Sequence, residues 1–254
     1  MKKPNIMKTI AFVFLITCAP LWGQQDSIPR KNIIKTNLTG FIFRNYQLTY
    51  ERALNKTFSV NITYAKMPEG GLPIVKNYLD SDDNFSQTQI SNQSFTLETR
   101  IYLGKGWGKG FYIAPYYRNS KLEIKELVYD FDETLNEVTG QYYENIPVTF
   151  SGSIKSNNFG LLIGTQWLLG KKQNWVIDFW ILGAHYGKAK GNLNGALKNI
   201  SLSPHQQELL QQELIDLDIP ILEYSVKTHA NGAIADIDSP WLGLRSGLSF
   251  GFRF

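Results

Sequence analysis

Seven charged residues occupy the polar side of segments that otherwise alternate apolar and small residues: Lys35, Glu51, Glu98, Arg100, Asp178, Arg245 and Arg253. Charges held on one enclosed face must be paired or hydrogen-bonded. Three acids and four bases of this kind form either a structural network or a path for protons or ions. Other chemistry-bearing residues are sparse. His185 lies in an alternating segment, while His205 and His229 stand without ligand spacing around them. The acidic run Asp80-Ser81-Asp82-Asp83-Asn84 resembles a calcium loop only at first sight. Phe85 stands where the loop needs glycine, and Ser91 where it needs a bidentate glutamate. No nucleophile with an adjacent base is legible, so no catalytic residue, metal or cofactor is implied.

The N-terminus reads as an export signal. Lys2, Lys3 and Lys8 form a basic start, residues 10–17 an apolar core, and Leu21-Trp22-Gly23 ends on a small residue, which puts cleavage after Gly23. That apolar run is too short for a membrane-spanning helix. The alternative is lipidation of Cys18, the single cysteine, after Leu15-Ile16-Thr17. Cleavage at Gly23 divides the chain into a leader, 1–23, and one domain, 24–254, free of thiol chemistry. Loss of the three leader lysines takes Lys and Arg from 26 to 23 against 22 Asp and Glu, a net charge near +1. No basic stripe suited to phosphate backbones remains, which excludes nucleic acid as a partner.

The elements that would position the charges are strands, because side chains on a strand alternate faces with period two. The clearest is 241–254, with Leu242, Leu244, Leu248, Phe250, Phe252 and Phe254 on one face and Gly243, Arg245, Gly247, Ser249, Gly251 and Arg253 on the other. Seven more read the same way: 33–43, 45–53, 57–66, 93–104, 110–119, 155–169 and 175–187. Pro115 weakens the fifth, since proline cannot donate to a ladder. His185 is expected on the parity of the apolar face.

Connections after strands two, four and six are short, whereas those near 67–92, 120–154 and 188–240 are long. Short turns at one end, long loops at the other and an even strand number are the arrangement of an outer-membrane barrel. From Phe95 to Leu103 the apolar face rises roughly 20 Å at a tilt of about 40°, near the ~25 Å apolar band of such barrels. Residues 121–132 and 141–154 are expected to extend one hairpin beyond that band. Ser203-Pro204 begins a short amphipathic helix over 204–217 carrying Leu209, Leu210, Leu214 and Leu217. A soluble barrel with its apolar face inward is the competing reading; it calls for a Lys- and Glu-rich outer face, whereas these polar faces are mostly Gly, Ser, Thr and Asn.

A terminal strand ending on Phe254, with Leu248, Phe250 and Phe252 before it, resembles the C-terminal assembly signal of Gram-negative outer-membrane barrels. Lys35-Thr36-Asn37-Leu38 followed by Leu48-Thr49-Tyr50-Glu51-Arg52 resembles an uncharacterised family of small eight-stranded barrels of this kind, similar to OmpA- and OmpW-type domains. The resemblance implies an outer-membrane location and contact with its lipid and with the barrel-assembly machinery. It carries no catalytic pattern. Lipid-A deacylase barrels pair a His with a Ser two positions on, but residue 187 is Gly.

The sequence therefore predicts an all-β, eight-stranded antiparallel up-and-down transmembrane barrel with long outward loops and a short helix in the last. Its expected role is non-enzymatic: a surface or anchoring protein that recognises an unidentified ligand through those loops. The alternative is a narrow channel for small or hydrophobic molecules.

Overall fold

Period-two alternation runs through eight strands that close on themselves, so every wall strand has neighbours on both sides and charged side chains collect within. The computed structural model describes residues 30–71, 87–104, 106–131, 134–135, 142–143, 146–217, 219 and 221–254. The leader at 1–23, Cys18 and the acidic run 80–84 lie outside these. The strands are β1 (Asn32–Asn37), β2 (Tyr46–Ala53), β3 (Phe58–Gly71), β4 (Gln89–Tyr102), β5 (Gly110–Phe131), β6 (Thr134–Leu135), β7 (Tyr142–Tyr143), β8 (Ile146–Leu169), β9 (Trp175–Leu197), β10 (Tyr224–His229) and β11 (Gly232–Arg253). Two helices interrupt them, α1 (Leu38–Ile42) and α2 (Pro204–Asp216).

All pairings are antiparallel, in the order β1-β2-β3-β4-β5-β8-β9-β11, and the ring closes where β11 pairs with β1 (Ile34 opposite Phe252, Thr36 opposite Phe250). The eight-stranded fold expected from the sequence is thus the fold observed. The short turns lie together at the end that carries Phe254, and the long connections lie at the other. β10 adds to β11 at that far end (Tyr224 opposite Ile237), and β6 and β7 pair only with each other.

Much of what reads as loop is wall. β5, β8, β9 and β11 run to 22, 24, 23 and 22 residues, well past the height of an apolar band. The first strand, by contrast, is shorter than the alternation suggests. Asn37 Oδ1 accepts the Gly40 amide at 2.8 Å and caps α1, so 38–43 does not continue the strand. Gly40 is required there, since a Cβ would lie 2.5 Å from the Asn45 carbonyl oxygen. Pro115 sits in β5 as an interruption on one side alone. The β4 ladder skips the pairs opposite Ala114 and Pro115, while the β8 ladder continues through Pro115 opposite Leu161.

At the loop end the inward face of the extended wall packs on α2. Leu210 and Leu214 of the helix meet Phe131, Ile146, Val148, Phe150, Val226 and Ala233 in one apolar cluster. Ser203 opens the helix with a full capping box, accepting from the Gln206 amide while Gln206 Oε1 accepts from the Ser203 amide. The helix predicted over 204–217 is therefore present and covers apolar wall residues of its own chain.

Candidate functional site

Lumen-facing positions of β1, β2, β4 and β9 bring five charged side chains together, each 2 % exposed or less. Lys35 Nζ donates to Glu51 Oε2 at 2.6 Å, to Gln166 Oε1 at 2.8 Å and to Asp178 Oδ2 at 2.8 Å. Arg100 donates through Nε to Glu98 Oε1 at 2.6 Å and through Nη1 to Asp178 Oδ2 at 2.8 Å. Its guanidinium lies 4.1 Å from the Tyr112 ring centroid. Arg245 joins from above, with Nη1 3.6 Å from Glu98 Oε2 and its guanidinium between the rings of Tyr116 (4.6 Å) and Trp180 (4.7 Å).

Three carboxylates, Glu51, Glu98 and Asp178, thus face three cations, Lys35, Arg100 and Arg245. Neutral donors complete the shells: Glu51 also accepts from Ser59 Oγ and Tyr102 Oη, and Asp178 from Tyr112 Oη and Trp180 Nε1. Charge-assisted bonds of this density hold a buried ionic cluster that isolated charges could not. Arg253 lies apart from the other six. Its Nε donates to the Arg30 carbonyl at 2.8 Å and its Nη2 to that of Trp107 at 3.4 Å, at the short-turn mouth.

The β4–β5 turn tucks beneath the network. Gln166 Nε2 donates to the Gly108 carbonyl at 2.7 Å, and Gly108 adopts a φ of +79° that favours glycine. Above, two lumen glycines of β8 make room for tyrosines of β5. A Cβ at Gly160 would lie 2.5 Å from Tyr116 Cζ, and one at Gly164 would lie 2.3 Å from Tyr112 Oη. Gln166, Tyr102, Tyr112, Ser59 and Trp180 are members of the network that charge counting overlooks. Their signal is parity, since each shares the inward phase of its strand.

One expectation reverses. His185 does not share the lipid-facing parity: its Nδ1 is 3.0 Å from Tyr116 Oη, inside the barrel. Consecutive outward residues Ile181 and Leu182, 41 % and 55 % exposed, form a bulge opposite the step from Ile163 to Gly164. The inward phase passes there from Val176, Asp178 and Trp180 to Gly183, His185 and Ala189. His205 and His229 are exposed in α2 and β10, and the His229 Nδ1 accepts the Asn231 amide at 3.2 Å.

Of the four residues read as an assembly signal, Phe250, Phe252 and Phe254 are exposed and Leu248 is half-buried on the closing strand, with Trp175 stacked on Phe250 at 5.4 Å. The outward face elsewhere is apolar as well, from Leu48 and Ile62 through Phe95, Leu97 and Phe159 (70 % exposed) to Leu244 (77 %). Neither a known family model nor a curated protein matches this chain.

Proposed function

We propose that the chain is an integral outer-membrane barrel of a Gram-negative envelope, a non-catalytic surface or anchoring protein whose recognition lies in its long-loop end. The observation that carries this reading is the inverted burial of the wall. Lys35, Glu51, Asp178 and Arg100 are at most 1 % exposed, while Leu, Ile, Phe and Trp side chains cover the outside. Soluble monomers rarely expose a contiguous apolar patch beyond a few hundred Å². A strand ring also satisfies most of its backbone without water, the condition for crossing lipid. With the ionic network across the lumen, the barrel serves as an anchor, and α2, β10 and the ends of β5, β8, β9 and β11 form the outward platform. Lipid around the belt, the barrel-assembly machinery at the terminal strand and an unidentified ligand at the platform are the partners this reading supplies.

Its test is electrophoretic mobility of the outer-membrane fraction with and without boiling. A folded barrel is expected to migrate differently from the heat-unfolded chain. A soluble chain without such a shift overturns the reading. Recognition is tested by replacing 199–230 with a short turn between the paired ends Ala196 and Gly232. Binding to the cell-surface partner should vanish while the mobility shift persists.

A specific feature favours a second reading, a narrow passage for small hydrophobic molecules. β11 pairs with β10 up to Ile237 and with β1 from Ser249, so Asp238 to Leu248 have a strand neighbour on the β9 side alone. Asp238 N, donating to the Glu223 carbonyl at 3.3 Å, and Leu248 N, donating to Thr39 Oγ1 at 3.4 Å, hold the ends of this edge, and 239–247 between them is where a lateral entrance toward Arg245 would lie. Failure of the purified, reconstituted protein to accelerate uptake of a hydrophobic dye overturns it.

A further inference from the structure

Register across the outward face aligns lysines that are far apart in sequence. Lys66 lies opposite Gln93, Gln93 opposite Lys121, Lys121 opposite Lys155, Lys155 opposite Lys190, and Lys190 opposite Asp238. Four lysines therefore sit on one cross-strand row over six strands, with Lys188 one step below on the same face. Asp238 at the end of the row, and Glu123 and Asp236 one step above it, are acids on the same face. Asp238 accepts from Lys188 at 3.0 Å and Lys190 at 2.9 Å, and Glu123 from Lys121 at 2.5 Å. Lys66 and Lys155 form no ion pair among the described residues.

The row beneath is apolar and aromatic: Tyr117 opposite Phe159, Phe159 opposite Tyr186, and Tyr186 opposite Leu242. Four residues of strand separate it from the lysine row, which at a tilt of about 40° is a height of roughly 10 Å. That is enough to cross the interfacial layer of about 5–8 Å on each side of the hydrocarbon core. Like charges directly opposite one another on a sheet disfavour pairing. Glu123 and Asp238 offset Lys121 and Lys190, whereas Lys155 between them has no ion pair among the described residues and is left to an anion from outside the chain.

We propose that this row is a docking surface for the phosphate head groups of anionic lipids in the outward-facing leaflet. The proposal rests on the membrane reading above, and it adds a lipid class and a position on the wall. Charge complementarity and height commit it to lipid phosphate rather than a soluble phosphate.

The test uses the full mature chain reconstituted in phosphatidylcholine vesicles containing phosphatidylglycerol, with spin-labelled analogues of both lipids reporting which one contacts the barrel. The wild type is expected to prefer the anionic label about fivefold or more, the effect of a single lysine near an anionic surface. Changing Lys66, Lys121, Lys155 and Lys190 to Gln should bring the preference close to one. Changing Lys56, Lys109, Lys171 and Lys172 to Gln, at the short-turn end, should leave most of it. Equal loss in both variants, no preference in the wild type, or abolition by millimolar inorganic phosphate at constant ionic strength each overturns the proposal. A boiled-against-unboiled gel of the same vesicles separates the two levels. Absence of an inserted barrel refutes the membrane reading and this docking surface with it, whereas an inserted barrel without lipid preference refutes the docking surface alone.

Discussion

Replacing Lys35 with Met tests whether the lumen is a balanced, dry ionic cluster. The substitution keeps most of the side-chain length and removes one charge from a position 1 % exposed. Glu51 loses its 2.6 Å partner and Asp178 one of its two cationic donors, so three carboxylates face only Arg100 and Arg245. Removing one member of a buried pair costs about 3–5 kcal/mol. That is roughly two to nearly four orders of magnitude in the folding equilibrium. Urea unfolding in vesicles, followed by tryptophan fluorescence, reads it directly. With a slope of about 1–3 kcal/mol per molar, the midpoint should fall by at least about 1 M. The double variant K35M/D178N restores balance, two carboxylates against two cations. It should recover part of the loss, with a favourable coupling of at least about 1 kcal/mol. A cost below about 1 kcal/mol for K35M, or strict additivity, refutes the reasoning and makes water the neutralising partner.

Gly164→Ala should destabilise the barrel by about 1–3 kcal/mol by displacing the Tyr112 hydroxyl from Asp178, whereas Gly104→Ala, with open space at its Cβ, should leave the urea midpoint unchanged. Leu214→Ala should cost about 2–5 kcal/mol locally, seen as faster proteolysis within 198–223 while the mobility shift of the barrel survives. Bonds from Lys190 and Lys188 hold the Asp238 carboxyl below the ordinary carboxylate range. The order it lends to the β9–β11 edge is present above the unfolded carboxyl's pKa and lost as pH falls through the depressed one. Carboxyl NMR should find a midpoint below about 3.9 that moves up in Lys190→Gln and in high salt.

Strand phase was the legible part of this fold. A single alternation places Lys35, Glu51, Glu98, Arg100, Asp178 and Arg245 on one side of the wall, and closure of the ring brings all six together. What alternation cannot supply is distance around the ring. Arg253 has the correct phase but sits at the short-turn mouth, where it meets backbone carbonyls rather than Glu51. The outward extension of β5 and β8 was legible in the alternation of 121–132 and 141–154, whereas that of β9 and β11 was hidden. Residues 188–197 of β9 and 232–240 of β11 carry mostly polar residues outward and mostly small ones inward, so a strand there has no apolar outward stripe to announce it.

Bulges erased the remaining information, and each left a local trace. At 181–182 two apolar residues stand in succession and both point outward, turning His185 from the outer face to the lumen. At 125–126 two charged residues stand in succession, the β5–β8 register shifts, and Glu126 takes a φ of +55°. From there Leu127, Tyr129 and Phe131 face inward toward α2. The second shift has a structural consequence. Without it, the inward phase that presents Tyr112 and Tyr116 to the lumen would carry Lys125's neighbours Glu126 and Val128 toward the helix instead. A charged residue would then enter an apolar cluster. The bulge lets one continuous strand serve a polar lumen below and an apolar platform above, and so joins the barrel proposed as an anchor to the module proposed to meet a partner.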